Sequence, residues 1–176
     1  MKKKLITLVA LLISGNLFAH SDEFKPEFVQ SLIKPYSTVQ AALASDDLEQ
    51  AQIGATALAE AMKQAPKGED EKESVDAFVS PANQIANAAS IADARQAFIE
   101  LSGEMESLVS HVGIIGKDKL YVAKCPMANG NKGATWIQSD KTINNPYFGS
   151  KMLRCGSVTK QIAGEKEADA HSGHQH

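Results

Sequence analysis

Cysteine is almost missing from this chain: the 176 residues hold two, Cys125 and Cys155, and no Cys-x-x-Cys pair. That spacing counts against a thiol-redox enzyme. There is no nucleophile elbow, P-loop, zincin helix or dinucleotide fingerprint either, and the chain is not expected to be an enzyme. Long apolar runs are lacking too, since the run from Leu5 to Ile13 is too short to span a bilayer and no other stretch approaches that length. No Cys follows it, so no lipid anchor is expected.

That short run has its own reading. Met1-Lys2-Lys3-Lys4 is a basic n-region, Leu5 to Ile13 an h-region, and Leu17-Phe18-Ala19 ends on a small residue at a cleavage point. The pattern predicts a signal peptide over residues 1–19, export to the periplasm, and a mature chain that starts at His20 and inserts in no membrane. Its 157 residues (176 less 19) suit one domain with a sizeable core. Without the three leader lysines, 15 basic residues face 21 acidic ones, a net −6 that argues against nucleic acid and permits attraction of cations.

Four amphipathic stretches follow. Phe28, Leu32, Tyr36, Val39 and Leu43 fall on one helical face, with a kink or break expected at Pro35 because proline removes a backbone donor and clashes one turn back. Asp46 and Glu49 have capping-box spacing ahead of a stripe through Leu48, Ala51, Ala55, Leu58 and Met62. Pro66 to Glu73 is a charged connection. Val75, Phe78, Val79, Ala82, Ile85, Ala86 and Ala89 suggest a third helix, with Pro81 kinking it or marking its start. Ser90 and Asp93 can cap a fourth, whose face Ala94, Phe98, Leu101, Met105, Leu108 and Val112 ends at Gly113.

The expected fold is therefore mainly α: an antiparallel four-helix bundle over residues 20–113, with a small, partly β appendage over 114–162. Short strands are expected at Ile114-Ile115, at Leu120-Tyr121-Val122, and from Ser157 to Ile162. Residues 163–176 read as a disordered tail.

The appendage carries the chemistry. Cys125 and Met127 sit in a Cys-Pro-Met turn, and Met152 and Cys155 form a Met-x-x-Cys pair before Gly156. Thiolates and thioethers together suit Cu(I) better than any hard cation. Trp136, Tyr147 and Phe148 read as the appendage's small core, and Asn144-Asn145-Pro146 with Gly130, Gly133 and Gly149 as turns. In an exported chain the two cysteines are equally a disulfide candidate, and closing about 30 residues is worth roughly 3.6 kcal/mol by chain entropy. Both readings stay open here.

Cys125-Pro126-Met127-Ala128, Gly133-Ala134-x-Trp136, Asn145-Pro146-Tyr147-Phe148-Gly149 and Met152-x-x-Cys155-Gly156 occur in that order, with Ala94-Arg95-x-x-Phe98-x-x-Leu101-Ser102 and Tyr36 to Leu43 upstream. Together these blocks resemble a helical domain of unknown function. It occurs alone in periplasmic proteins and at the C-terminal end of copper and heavy-metal efflux adaptor (membrane fusion) proteins. The resemblance implies metal handling by association, with an efflux adaptor or another envelope protein as partner.

Three kinds of histidine remain. His111, near the end of the fourth stripe, is a helix-terminus dipole partner or a candidate completing ligand for a sulfur site. His171, His174 and His176 form a cluster behind a polar spacer, the pattern of a tail that captures Cu(II), Ni(II) or Zn(II). His20 would pair a free amine with an imidazole, but no further histidines are placed to complete a copper enzyme site. The reading that results is an exported Cu(I)-binding protein that buffers or delivers metal to an efflux or resistance system. Its ligand candidates are Cys125, Met127, Met152, Cys155, His111 and the tail histidines. The alternative is a disulfide-clamped interaction module of an envelope complex.

Overall fold

The computed structural model describes residues 24–66, 71–116 and 118–163. The expected leader and His20, the middle of the charged connection and the tail histidines lie outside the described residues. Within them the chain is mainly helical, with a small antiparallel sheet toward its C-terminal side. Helix α1 spans Pro26–Ala44, α2 Leu48–Met62, α3 Glu71–Ala86 and α4 Ile91–Val112. Consecutive helices pack on one another, and α4 returns to touch α1.

Most of each expected stripe is buried, whereas Phe28, Leu48, Val75, Val79, Ala86 and Val112 are half-buried and Ala89, past the end of α3, is exposed. In α1, Val29, Leu32, Tyr36, Val39 and Leu43 are all 0 % exposed. At about 1.5–3 kcal/mol each, these side chains outweigh the roughly 3 kcal/mol that an interior proline costs. The helix accordingly continues through Pro35, so the break that was one of the two expected outcomes does not occur. Pro81 likewise lies inside α3, whose start at Glu71 is ten residues earlier, because Phe78 and Ile85 hold both sides of it in the core. On α4 the whole stripe from Ala94 to Leu108 is buried.

Caps set the helix starts. Ser90 accepts a hydrogen bond from the Asp93 amide at 3.2 Å. Asp47, one residue later than expected, caps α2 by accepting from the Gln50 amide at 3.0 Å. Asp46 instead sits at φ +62° with its carboxylate turned to other partners.

The sheet is β1 (Lys119–Cys125) flanked by β2 (Ala134–Gln138) and β3 (Ser157–Ala163), antiparallel on both sides. Between β1 and β2 lies α5, the one-turn helix Ala128–Asn131. The expected strand at Ile114-Ile115 does not form beyond an isolated bridge at Ile115, since Gly113 and Gly116, both at φ +89°, bend the chain on either side. Strand β2 was not anticipated, although its buried Trp136 was expected in the core.

Tyr36 ties α1 both to α4 and to the sheet. The Tyr36 hydroxyl hydrogen-bonds Ser102 Oγ at 2.7 Å and accepts the Ile137 N–H of β2 at 3.0 Å. Burial pushes the Tyr36 phenol well above its ordinary range. An aromatic ladder runs alongside, from Tyr36 to Phe98 (5.5 Å between centroids), to Tyr147 (5.8 Å), and to Trp136 edge-on (5.8 Å).

Candidate functional site

Strand β1 ends at Cys125, and β3 begins two residues after Cys155. Because the two strands pair, with Lys124 opposite Ser157, the two cysteines are carried to the same end of the sheet. Their sulfurs lie 3.2 Å apart across 30 residues of sequence, both as free thiols. Cys125 is buried and Cys155 half-buried. The hydrogen bond with Cys125, and then burial, pushes the Cys155 thiol up.

Several groups hold Cys155 there. Asn145, fully buried, donates from Nδ2 to the Cys155 carbonyl at 2.8 Å. Its Oδ1 accepts the amides of Tyr147 (2.8 Å) and Phe148 (3.3 Å), and its own amide donates to Leu153 O at 2.9 Å. The Asn-Pro dipeptide was expected only as a turn. It is also the hub of the thiol-bearing loop. Gly156, at φ +125°, lets that loop pass the sheet, because a Cβ there would meet Lys124 O at 2.7 Å and Trp136 Cη2 at 3.1 Å.

A second anchor joins the loop to the helices. Arg95 of α4 donates to Pro146 O (2.8 Å), Leu43 O (2.7 Å) and Asp46 Oδ1 (2.6 Å), while Asp46 Oδ2 accepts the Ser150 amide at 3.0 Å. Hydrogen bonds from Ser150 and then from Arg95 hold the Asp46 carboxyl well below the usual carboxylate range. Gly149, at φ +57°, sits against this pair. A Cβ at that position would stand 2.1 Å from Arg95 Nη2 and 2.2 Å from Asp46 Oδ1.

The other candidates are placed less closely. Met152 is half-buried and one turn before Cys155, whose amide donates to Met152 O at 2.9 Å. Met127, 47 % exposed, lines a cleft against α4 that neither cysteine reaches. His111 is exposed in the last turn of α4, beside Ser110, which accepts from Lys160 Nζ at 3.2 Å. Lys160 stands four residues along β3 from Gly156, about 13 Å of strand, so His111 lies toward the other end of the sheet. Among the described residues no group of three or more His, Cys, Asp or Glu side chains is gathered as for a metal ion. The structure thus brings the two thiols together, leaves Met152 one turn off, and turns Met127 into a different surface. His171, His174 and His176 lie outside the described residues.

Fold and site define a mainly helical domain that ends in a three-stranded sheet with a thiol pair at its end. Residues 32–117 are similar to the family described as "Protein of unknown function (DUF3347)", a match that begins within α1 and stops short of β1. Neither the curated proteins nor the solved structures give a match to the chain.

Proposed function

We propose that this is an exported Cu(I)-binding protein, an antiparallel four-helix bundle whose C-terminal sheet carries metal as cargo and passes it to an efflux adaptor or another envelope protein. One observation carries the reading: the chain's only two thiols meet at 3.2 Å, Cys125 buried and Cys155 half-buried. Two thiolates form a soft donor set, and soft donors favour Cu(I) over hard cations. Cys125 and Cys155 would hold the ion, with Met152 the nearest thioether by chain geometry and Met127 a second donor only after its side chain turns from the cleft. The tail histidines His171, His174 and His176 would take Cu(II), Ni(II) or Zn(II) separately.

The same contact supports a second reading, a disulfide that clamps the loop from Asn145 to Cys155 onto β1. Titration of the reduced protein with Cu(I) against a chromogenic chelator separates the two. The metal reading expects one Cu(I) per chain, lost in Cys125→Ser and in Cys155→Ser and weakened in Met152→Leu. If reduced protein fails to compete with the chelator, while oxidation alone raises stability by about 2–5 kcal/mol, the clamp is the function of the pair.

A further inference from the structure

The chain is electrically two-ended. Residues 26–112 hold fourteen acidic and five basic side chains, whereas residues 119–163 hold seven basic ones against Asp140 alone. Lys119, Lys141 and Lys160 lie toward the end of the sheet away from the cysteines. There Lys141 stands over the Tyr121 ring at 5.9 Å and Lys160 on Ser110. The other four, Lys124, Lys132, Lys151 and Arg154, surround the thiol end, and all four are exposed. Among the described residues none of these four is paired with a carboxylate. Arg154 spends its guanidinium on Ile143 O and Asn144 Oδ1. Glu106 accepts from Thr135, and Asp46 is paired with Arg95.

Within this cationic end opens a cleft of about 450 Å³ between α4 and the segments at Met127–Gly130 and Tyr147–Lys151. Ile99, Met127 and Phe148 give it apolar walls, and Lys151 stands at its edge. One wall is α5, whose Asn129, Gly130 and Asn131 turn in the left-handed sense at φ +53°, +61° and +66°. Such a run is costly for residues with side chains and fixes the wall's shape. Met127 is one of few large apolar side chains left exposed on the described surface.

We propose that this cleft and its lysine rim are a docking site for an acidic segment of a partner protein that inserts one apolar side chain between Met127, Phe148 and Ile99. Charge complementarity selects the occupant: exposed cations with no carboxylate bonded to them attract a carboxylate-rich chain and repel a basic one. The apolar walls then give the encounter a register that a charge patch alone lacks. Docking here sets the partner at the end of the sheet that carries the thiols, on a neighbouring surface, and binding of the segment does not require the thiols to hold metal.

The test uses a fluorescein-labelled peptide of six glutamates around a central leucine, with anisotropy read on the purified full-length protein. Saturable binding is expected, weakened at least about fivefold between 20 and 300 mM NaCl as screening sets in. Lys132→Glu/Lys151→Glu should weaken it at least about tenfold and Met127→Gln severalfold, each with unchanged far-UV circular dichroism, while Lys34→Glu on α1 leaves it unchanged. The Cys125→Ser/Cys155→Ser variant should bind the peptide as the parent does, so failure of the copper reading and failure of docking are seen separately. Peptide binding that ignores salt, or that Lys34→Glu lowers equally, overturns the proposal. Capture by vesicles of 30 % phosphatidylglycerol without peptide binding overturns it in favour of a lipid surface. Salt-sensitive self-association that the peptide does not displace overturns it in favour of a second copy's acidic helices.

Discussion

Gly149→Ala is the smallest change with the widest expected effect. The added methyl would lie 2.1 Å from Arg95 Nη2 and 2.2 Å from Asp46 Oδ1, so the ion pair must open or the loop must lift. Two costs add. A non-glycine residue held at φ +57° costs about 1–2 kcal/mol. Displacing Arg95 disturbs charge-assisted hydrogen bonds to Leu43 O and Pro146 O, each worth about 1.5–3 kcal/mol where burial is high. The pair with Asp46 is partly exposed and adds less than about 1 kcal/mol. Partial relaxation of the arginine leaves an expected loss of about 2–4 kcal/mol, read as a shift in urea midpoint at unchanged slope. Because the same loop carries Cys155, Cu(I) affinity should fall as well. A loss below about 0.5 kcal/mol would mean that the loop does not rest on Arg95 and that the anchor has been misread.

Leu101→Ala in the fully buried α4 stripe should cost about 2–5 kcal/mol in a denaturant melt. Tyr36→Phe keeps the ring but strands the Ile137 amide and the Ser102 hydroxyl, an expected loss of about 1–3 kcal/mol with little change in helix content. Because the folded Cys155 thiol titrates above its unfolded value, the reduced protein keeps the thiol's full contribution below about pH 8.5 and loses it as pH rises through that range. Urea midpoints of reduced protein from pH 7.5 to 10 should fall, and fall less in Cys155→Ser. Deleting residues 170–176 should lower Cu(II) or Ni(II) stoichiometry by equilibrium dialysis without touching Cu(I) binding.

Helix periodicity was legible because it depends on near neighbours: the stripe from Ala94 to Leu108 needs only its own spacing to declare a buried face. The sulfur residues announced themselves by rarity, and the meeting of Cys125 with Cys155 followed from strands that the sequence only partly suggested. What stayed hidden acts at long range. Asp46 has the composition of a cap, but its partners, Arg95 and Ser150, lie 49 and 104 residues away. Asn145 looks like any residue before proline, and only burial distinguishes a hub from a turn. Pro35 shows the converse, a local rule overridden by five buried neighbours. The short β2 was missed because Ala134–Gln138 is too brief for alternation to stand out, and its pairing with β1 decides it. The cleft is made by three segments that meet only after folding.

The solitary Trp136 gives the molecule two separable optical signals. Its fluorescence reports on the sheet alone, while far-UV ellipticity is dominated by the four long helices. Since Tyr36 holds the sheet through a buried bond and Arg95 holds the loop before β3 through a part-buried one, both signals should trace one urea transition with one midpoint. Cutting the Tyr36 link then becomes a way to ask whether sheet and helices can melt apart, with the indole emission leaving its buried value before the helix signal moves.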